Sequence, residues 1–486
     1  MNATSPSCPD DAAARRLARS MAVVSAFCLT GDTMLYIALP LFWQECGLTA
    51  LWQVGVLLAV NRLVRLPLNP LVRLLYTRID QRTGMALAVV LAASTTLLYG
   101  VARCFALWLL LRCLWGLAWT LLRLGSLFAL MAASRKDNRG YLMGSYNGLV
   151  RLGSLLGFAE MLRTGTTACV DMYIFEAAVL EAADRAGLRC LAGEGVFNFP
   201  SACCPDADAA LACTREMAQR WAGHDRLHVA VMPHSVYTTT AAQLTACREL
   251  ADELGLPLHI HLAETRQETA LSLQQHGLRP VAHADRLGLL RPGTILAHVV
   301  DVDADEMALL ARRGVSVVHN PSSNMKLASG VAPVPAMLDA GVRLALGSDG
   351  AASNNRLNMF TEMGRAALLH KAAGDPETMP ARTVLDMATR GGAAALGSDG
   401  GVLAVGRPAD CIALDLSAPN MQPLFNAASH AVYAATGMEV ALTMVAGEVL
   451  YRDGRFSRFD YAALCAEVRE MRRFVLRRLG LPETVA

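Results

Sequence analysis

None of the chain's 11 histidines precedes His224, although from there onward metal-binding residue types recur at short spacing, as in His259-Ile-His261-Leu-Ala-Glu264-Thr265. The preceding region is apolar and interrupted by isolated arginines, so the chain reads as two unlike pieces joined near residue 158. Bulk composition carries the same division. A hydrophobic fraction of 53%, a charged fraction of 18% and a mean hydropathy of +0.33 are too apolar for an ordinary soluble enzyme and too polar for a chain in the bilayer throughout. A net charge of +2 gives no footing for nucleic acid. The 13 cysteines are scattered, with Cys203 beside Cys204 but no Cys-x-x-Cys pair, so neither a disulfide framework nor a cysteine zinc site is indicated.

Residues 21–43 are apolar around one charge, Asp32, and are long enough to cross a hydrocarbon core of about 30 Å. Further apolar segments at 51–72, 84–101 and 105–133 predict an all-α transmembrane region of about four helices, with Arg62 and Arg65 facing protein or water. Arg15, Arg16 and Arg19, then Arg73, Arg78 and Arg82, then Arg135, Lys136 and Arg139 fall on alternate loops. That alternation predicts a multi-pass protein of the cytoplasmic membrane with its N-terminus and its later domain on the cytoplasmic side, and the lipid bilayer as a partner.

Asp32, Arg112-x-x-Trp115-Gly116 and the run Gly140-Tyr-Leu-Met-Gly144-Ser-Tyr-Asn-Gly148-Leu-Val-Arg151-Leu-Gly153 resemble the start of a major facilitator superfamily transporter. The resemblance stops within a fifth segment, where such transporters continue through a second half.

After Phe158 short β-branched runs alternate with helical stretches, the pattern of βα units around a parallel sheet. Strands are expected near 166–172, 188–196, 227–233, 257–262, 294–299, 315–319 and 342–348, one fewer than the eight of a TIM-type barrel, with the first missing. His234, His261 with Glu264, His298, His319 and Asp349 then fall at consecutive strand ends, the rim where barrel enzymes keep their chemistry. His259 shares a face with His261 one step deeper and is read as a buried support; His224, His228, His276, His283, His370 and His430 are read as packing or surface groups.

The stretches Met161-Leu-Arg-Thr-Gly165-Thr-Thr, Met232-Pro-His234-Ser-Val-Tyr237-Thr, His259-Ile-His261-Leu-Ala-Glu264-Thr, His319-Asn-Pro-Ser-Ser-Asn324-Met-Lys326-Leu and Gly347-Ser-Asp349-Gly-Ala-Ala-Ser353-Asn354-Asn355 closely resemble the amidohydrolase superfamily. Within it the nearest likeness is to 5-methylthioadenosine/S-adenosylhomocysteine deaminases, with chlorohydrolases as near relatives. The resemblance covers about residues 158–486. It implies hydrolytic replacement of an exocyclic purine amine by oxygen, on a small-molecule nucleoside, with one divalent metal, zinc by expectation, lowering the pKa of bound water. It also implies His261 and Asp349 as metal ligands, Glu264 as proton shuttle, His298 and Asp349 as catalytic partners, and His234, Glu264 and Asp349 in contact with substrate.

The same resemblance expects a His-x-His pair on the first strand, which by spacing falls near Trp115–Leu117, where no ligand stands. Two ligands fall short of the three or more of a catalytic zinc. The expected organisation is a truncated transporter-like region over 1–157, a barrel lacking its first strand over 158–400, and C-terminal strands of a small β-sandwich with a terminal helix over 401–486. Three functions stay open: a membrane-tethered deaminase impaired by the missing ligands, a catalytically inactive fusion of two fragments, and a membrane transport protein.

Overall fold

The computed structural model describes residues 46–64, 81–133, 136–372 and 375–479, with isolated positions at 39, 68, 72, 75, 76, 78 and 79. Apart from Leu39 the expected span at 21–43 lies outside the described residues, as do Asp32, Arg15, Arg16, Arg19, Arg65, Arg73 and Arg135. The chain divides into two compact units, residues 1–144 with 471–486, and residues 145–470.

In the first unit, helices α1 (Leu51–Leu63), α2 (Gln81–Tyr99) and α3 (Phe105–Ala133) pack together. Arg112 on α3 is fully buried, its Nε donating to the Leu57 carbonyl at 2.9 Å, while Trp108 stacks on Tyr99 at 5.1 Å and donates Nε1–H to the Cys46 carbonyl. A buried guanidinium needs such acceptors, so Arg112 has a helix-packing role. Among the described residues one helix segment, Phe105–Leu122, is long and apolar enough to cross a membrane; the apolar stretch Thr83–Tyr99 is shorter, and α1 has 13 residues. The expected segment 51–72 is therefore not matched by one continuous described helix.

The second unit is built from parallel strands β1 (Ala168–Tyr173), β2 (Arg189–Val196), β3 (Leu227–Val229), β4 (Met232–Pro233), β5 (Leu258–Leu262), β6 (Thr294–His298), β7 (Ser316–His319) and β8 (Arg343–Leu346). β3 and β4 are two halves of one barrel strand. Both pair with β2, and bridges from Val231 to Leu258 and from Ser235 to His261 carry the ladder on to β5. Seven strand positions thus run in sequence order, matching the seven expected. Among the described residues no strand joins β8 back to β1, so the barrel has an open seam.

Glu160–Arg163 form the end of α4 (Lys136–Arg163). Its Leu155, Phe158, Ala159 and Leu162 are buried in the barrel core, with Glu160 Oε1 accepting from the Leu357 amide at 2.9 Å. A separate antiparallel sheet, in the order β12 (Arg455–Phe456), β11 (Glu448–Arg452), β10 (Val440–Val445), β9 (Cys411–Leu414), supplies the expected C-terminal strands. Thr443 donates to the Leu162 carbonyl at 2.7 Å, and Arg189 forms a two-pronged pair with Asp410, tying this sheet to the barrel.

Candidate active site

Register sets the rim. Leu262 pairs with His298 and His319 with Leu346, so β5 to β8 end at nearly one level and their last side chains face one mouth. The chain leaves those strands through left-handed backbone at Ala263 (φ 51°), His298 (φ 75°) and Asp349 (φ 59°), conformations that non-glycine residues adopt at some cost and that gather at functional sites. Close approach also selects Gly347, where a Cβ would stand 2.5 Å from Asn320 Oδ1.

Around the mouth, imidazoles form a row: His234 and His261 have centroids 5.0 Å apart, His261 and His298 5.4 Å, and His259 and His261 5.5 Å. His261 Nδ1 lies 3.0 Å from the His234 carbonyl; a carbonyl only accepts, so Nδ1 carries the proton and Nε2 keeps its lone pair. Burial, helped by His298, lowers the pKa of His261, and burial lowers His234 to about 3. Both rings are neutral near pH 7, the form that ligates or accepts a hydrogen bond.

Neighbours orient the rest. Asn324 Oδ1 accepts from His298 Nδ1 at 2.8 Å, Ser323 donates to Asp349 Oδ2 at 2.5 Å, and Ser329 donates to Glu264 Oε1 at 3.1 Å. The Ala263 and Glu264 amides both donate to buried Glu268, whose carboxyl burial pushes up to about 7. Beneath Asp349, fully buried Glu362 accepts from the Ser322 amide and from Asn354 Nδ2 at 2.9 Å, bracing two rim loops together. Tyr173 and Phe197 wall the His234 ring at 5.8 and 4.9 Å.

Five of the six residues expected at the strand ends, His234, His261, Glu264, His298 and Asp349, lie on one rim, whereas His319, expected with them, is buried below it. His259 lies beneath them, 8% exposed, with Nδ1 lacking a partner among the described residues. His319 is buried deeper, neither nitrogen having a partner among the described residues, so it supports the site from below. Sequence reasoning missed Asn324, Ser323 and Glu362; the first two stand in the Pro321-Ser-Ser-Asn324 run after β7, a local signal, whereas Glu362 is reached only through the fold.

A cavity of about 660 Å³ leads from this rim into the barrel, lined on one side by His259, His261, His298 and Asp349 and on the other by Gly153, Gly157 and Phe158 of α4. Residues of both seam strands, β1 and β8, line it as well. A second cavity of about 920 Å³ lies near Arg189, His228 and Arg343 and touches none of the rim groups.

For a metal, His261 Nε2 and the Asp349 carboxylate are suitable donors, but two are too few. Among the described residues no third histidine, cysteine or carboxylate atom converges with them. The α4 segment along the seam, 145–163, contains no histidine, cysteine or aspartate, and its one glutamate is Glu160, bonded to Leu357. Among the described residues this rim therefore offers two donors to a zinc ion, fewer than a catalytic zinc takes.

Comparison with known proteins gives this arrangement a setting. Residues 144–450 match the model of the amidohydrolase family. The chain is 67% identical over 335 residues to a 5-methylthioadenosine/S-adenosylhomocysteine deaminase of Desulfovibrio desulfuricans, covering 68% of this chain and 76% of that one. It is 44% identical over 305 residues to a 5'-deoxyadenosine deaminase of Methanothermobacter thermautotrophicus, covering 62% and 71%. Among solved structures, a zinc-bound adenosine deaminase from Xanthomonas campestris superimposes with a TM-score of 0.66 at 41% identity, covering 68% of this chain and 76% of that one.

Proposed function

Because this chain belongs to the amidohydrolase family and is a hydrolase acting on C–N bonds, we propose that its barrel is a deaminase for purine nucleosides of the 5-methylthioadenosine and S-adenosylhomocysteine type, impaired because half of its metal centre is absent. The observation that carries the reading is the rim itself: His261 with a free Nε2, Asp349, Glu264 and His298 are held in working order while no third ligand among the described residues reaches them. The reaction replaces an amine by oxygen, water adding to the ring carbon as the C–N bond breaks and ammonia leaves. Glu264, held at the rim by Ser329, gives a proton to the ring nitrogen and passes one to the departing amine. His298, fixed by Asn324, polarises the reacting centre, and His234 packs on the substrate beside Phe197. A divalent ion of the kind the Xanthomonas enzyme holds would supply activated water.

Ammonia release from 5-methylthioadenosine and S-adenosylhomocysteine, with and without added zinc, tests this. Slow release that depends on millimolar zinc is expected. Turnover matching the Desulfovibrio enzyme with one tightly held zinc would refute the impairment, and no release at any zinc level would favour the inactive fusion.

The first unit fits a transporter remnant anchored in the bilayer. Support comes from the Phe105–Leu122 segment and from outward apolar groups on or beside α2, Val90 63% exposed, Leu97 78% and Val101 65%. On this reading the anchor lies within residues 1–157, the last stretch of which, 145–157, already belongs to the barrel unit, with 158–400 the barrel, 401–486 the sandwich strands and terminal helix, and the barrel on the cytoplasmic face. Protease accessibility in oriented membrane vesicles tests it, cleavage of the barrel from the outer face being the refuting result.

A further inference from the structure

At the end of β2 the carboxyl group of Glu194, 1% exposed, accepts from the Phe175 amide at 3.1 Å and the Glu176 amide at 3.0 Å. The loop after β2 folds back so that Cys203 Sγ stands 2.6 Å from Glu194 Oε1. Ser201 fixes that turn: its amide donates to the Cys204 carbonyl at 2.9 Å, its Oγ accepts from the Cys204 amide at 3.0 Å, and the same Oγ lies 3.3 Å from Cys203 Sγ. Helix α5 (Ala207–Arg220), capped by Asp206, follows that turn. One ligand atom from each of Glu194, Cys203 and Cys204 lies within 4.8 Å of the others, the sole such convergence among the described residues.

Two thiols and a carboxyl group packed this closely, mostly out of water, cannot all carry charge unless a cation sits among them. Nothing in the deamination chemistry uses these groups.

We propose that Glu194, Cys203 and Cys204 form a sulfur-rich metal site that takes a soft divalent ion such as zinc or cadmium. Sulfur donors select such ions over magnesium or calcium, and the three protein donors leave a position for water. Binding forms metal–sulfur bonds and releases the thiol and carboxyl protons to solvent, with no redox change. The site clamps the loop that carries Phe197 and Phe199, whose rings pack at a tilt 5.0 Å apart with Phe197 against His234, and so fixes the aromatic wall of the mouth.

The full-length chain, stripped of metal by chelator, is titrated with cadmium alone and followed by its sulfur-to-cadmium charge-transfer absorption. One equivalent with that band is expected, retained in His261→Asn and lost in the double variant Cys203→Ser/Cys204→Ser. Absence of the band in the folded wild-type chain, or its survival in the double variant, overturns the proposal. Should the double variant not fold, alkylation of the wild-type chain mapped by mass spectrometry decides it. Labelling of Cys203 and Cys204 falls about a hundredfold when zinc is held at about 100 times its Kd, and unchanged labelling overturns the proposal.

Discussion

The rim of this barrel has two sides that are held in different ways. Along β5 to β8 each reactive side chain has a partner of its own: His261 the His234 carbonyl, His298 Asn324, Asp349 Ser323, and the loops beneath share Glu362. Between β8 and β1 no strand pairs among the described residues, and the gap opens into a cavity lined in part by α4. Orientation of individual groups and closure of the ring are therefore separable. The first comes from contacts between neighbouring strand ends and survives the loss of a distant strand, whereas the second needs every strand, and a metal centre drawing ligands from across the barrel depends on it.

The contrast is broken most forcefully by closing the ring. Replacing residues 1–143 by a first βα unit that ends in His-x-His should yield one firmly bound zinc per chain, read by metal analysis. It should raise ammonia release roughly 10³-fold or more, about 4 kcal/mol of barrier. No gain would mean that the seam is not what limits the site. On the ordered side, Glu264→Gln should lower whatever turnover remains by about 10²–10⁴-fold, the usual weight of a proton shuttle. A smaller loss would move the shuttle to another residue.

The seam itself is sharpened by Phe158→Ala. Phe158 is 2% exposed and belongs to the barrel core through α4, so its truncation should cost about 3–5 kcal/mol in urea unfolding of the barrel. A cost below about 1 kcal/mol, the range of surface substitutions, would show that α4 covers the gap without being part of the core.

Much of this was legible in the sequence for a simple reason. Buried parallel strands read as β-branched runs, and polar residues that interrupt such runs at their ends have few structural uses, so seven strand positions and the five rim residues could be placed by pattern alone. What was hidden depends on contacts between distant segments. Glu362 braces Ser322 from 40 residues away, and Glu194 meets Cys203 only because the loop after β2 turns back. In the first unit the apolar runs marked helices, but hydropathy does not fix where a helix stops: α1 ends at Leu63, inside the segment expected to reach 72.

Smaller effects separate orientation from chemistry. Asn324→Ala leaves the His298 ring without its acceptor and should lower turnover by about 10–100-fold, the range for removing an outer partner of a site residue. Substrate KM should change little, since Asn324 touches only His298 among the rim groups; a change confined to KM would place Asn324 in substrate binding instead.

Stability against pH draws the finest distinction, because buried groups on the ordered side titrate in opposite directions. His319, below β7, is lowered by burial from 6.5 to about 3, so its contribution is complete above pH 6.5 and is lost as pH falls toward 3. Glu268, behind Glu264, is raised by burial from 4.5 to about 7, so the folded state favours its protonated form; that contribution is complete below pH 4.5 and is lost as pH rises through 7. In urea midpoints measured from pH 3 to 8, His319→Gln should flatten the acid limb alone and Glu268→Gln the fall from pH 4.5 to 7 alone. Either variant flattening both limbs would mean that the two groups titrate together, and that the rim and the layer beneath it respond to protons as one network.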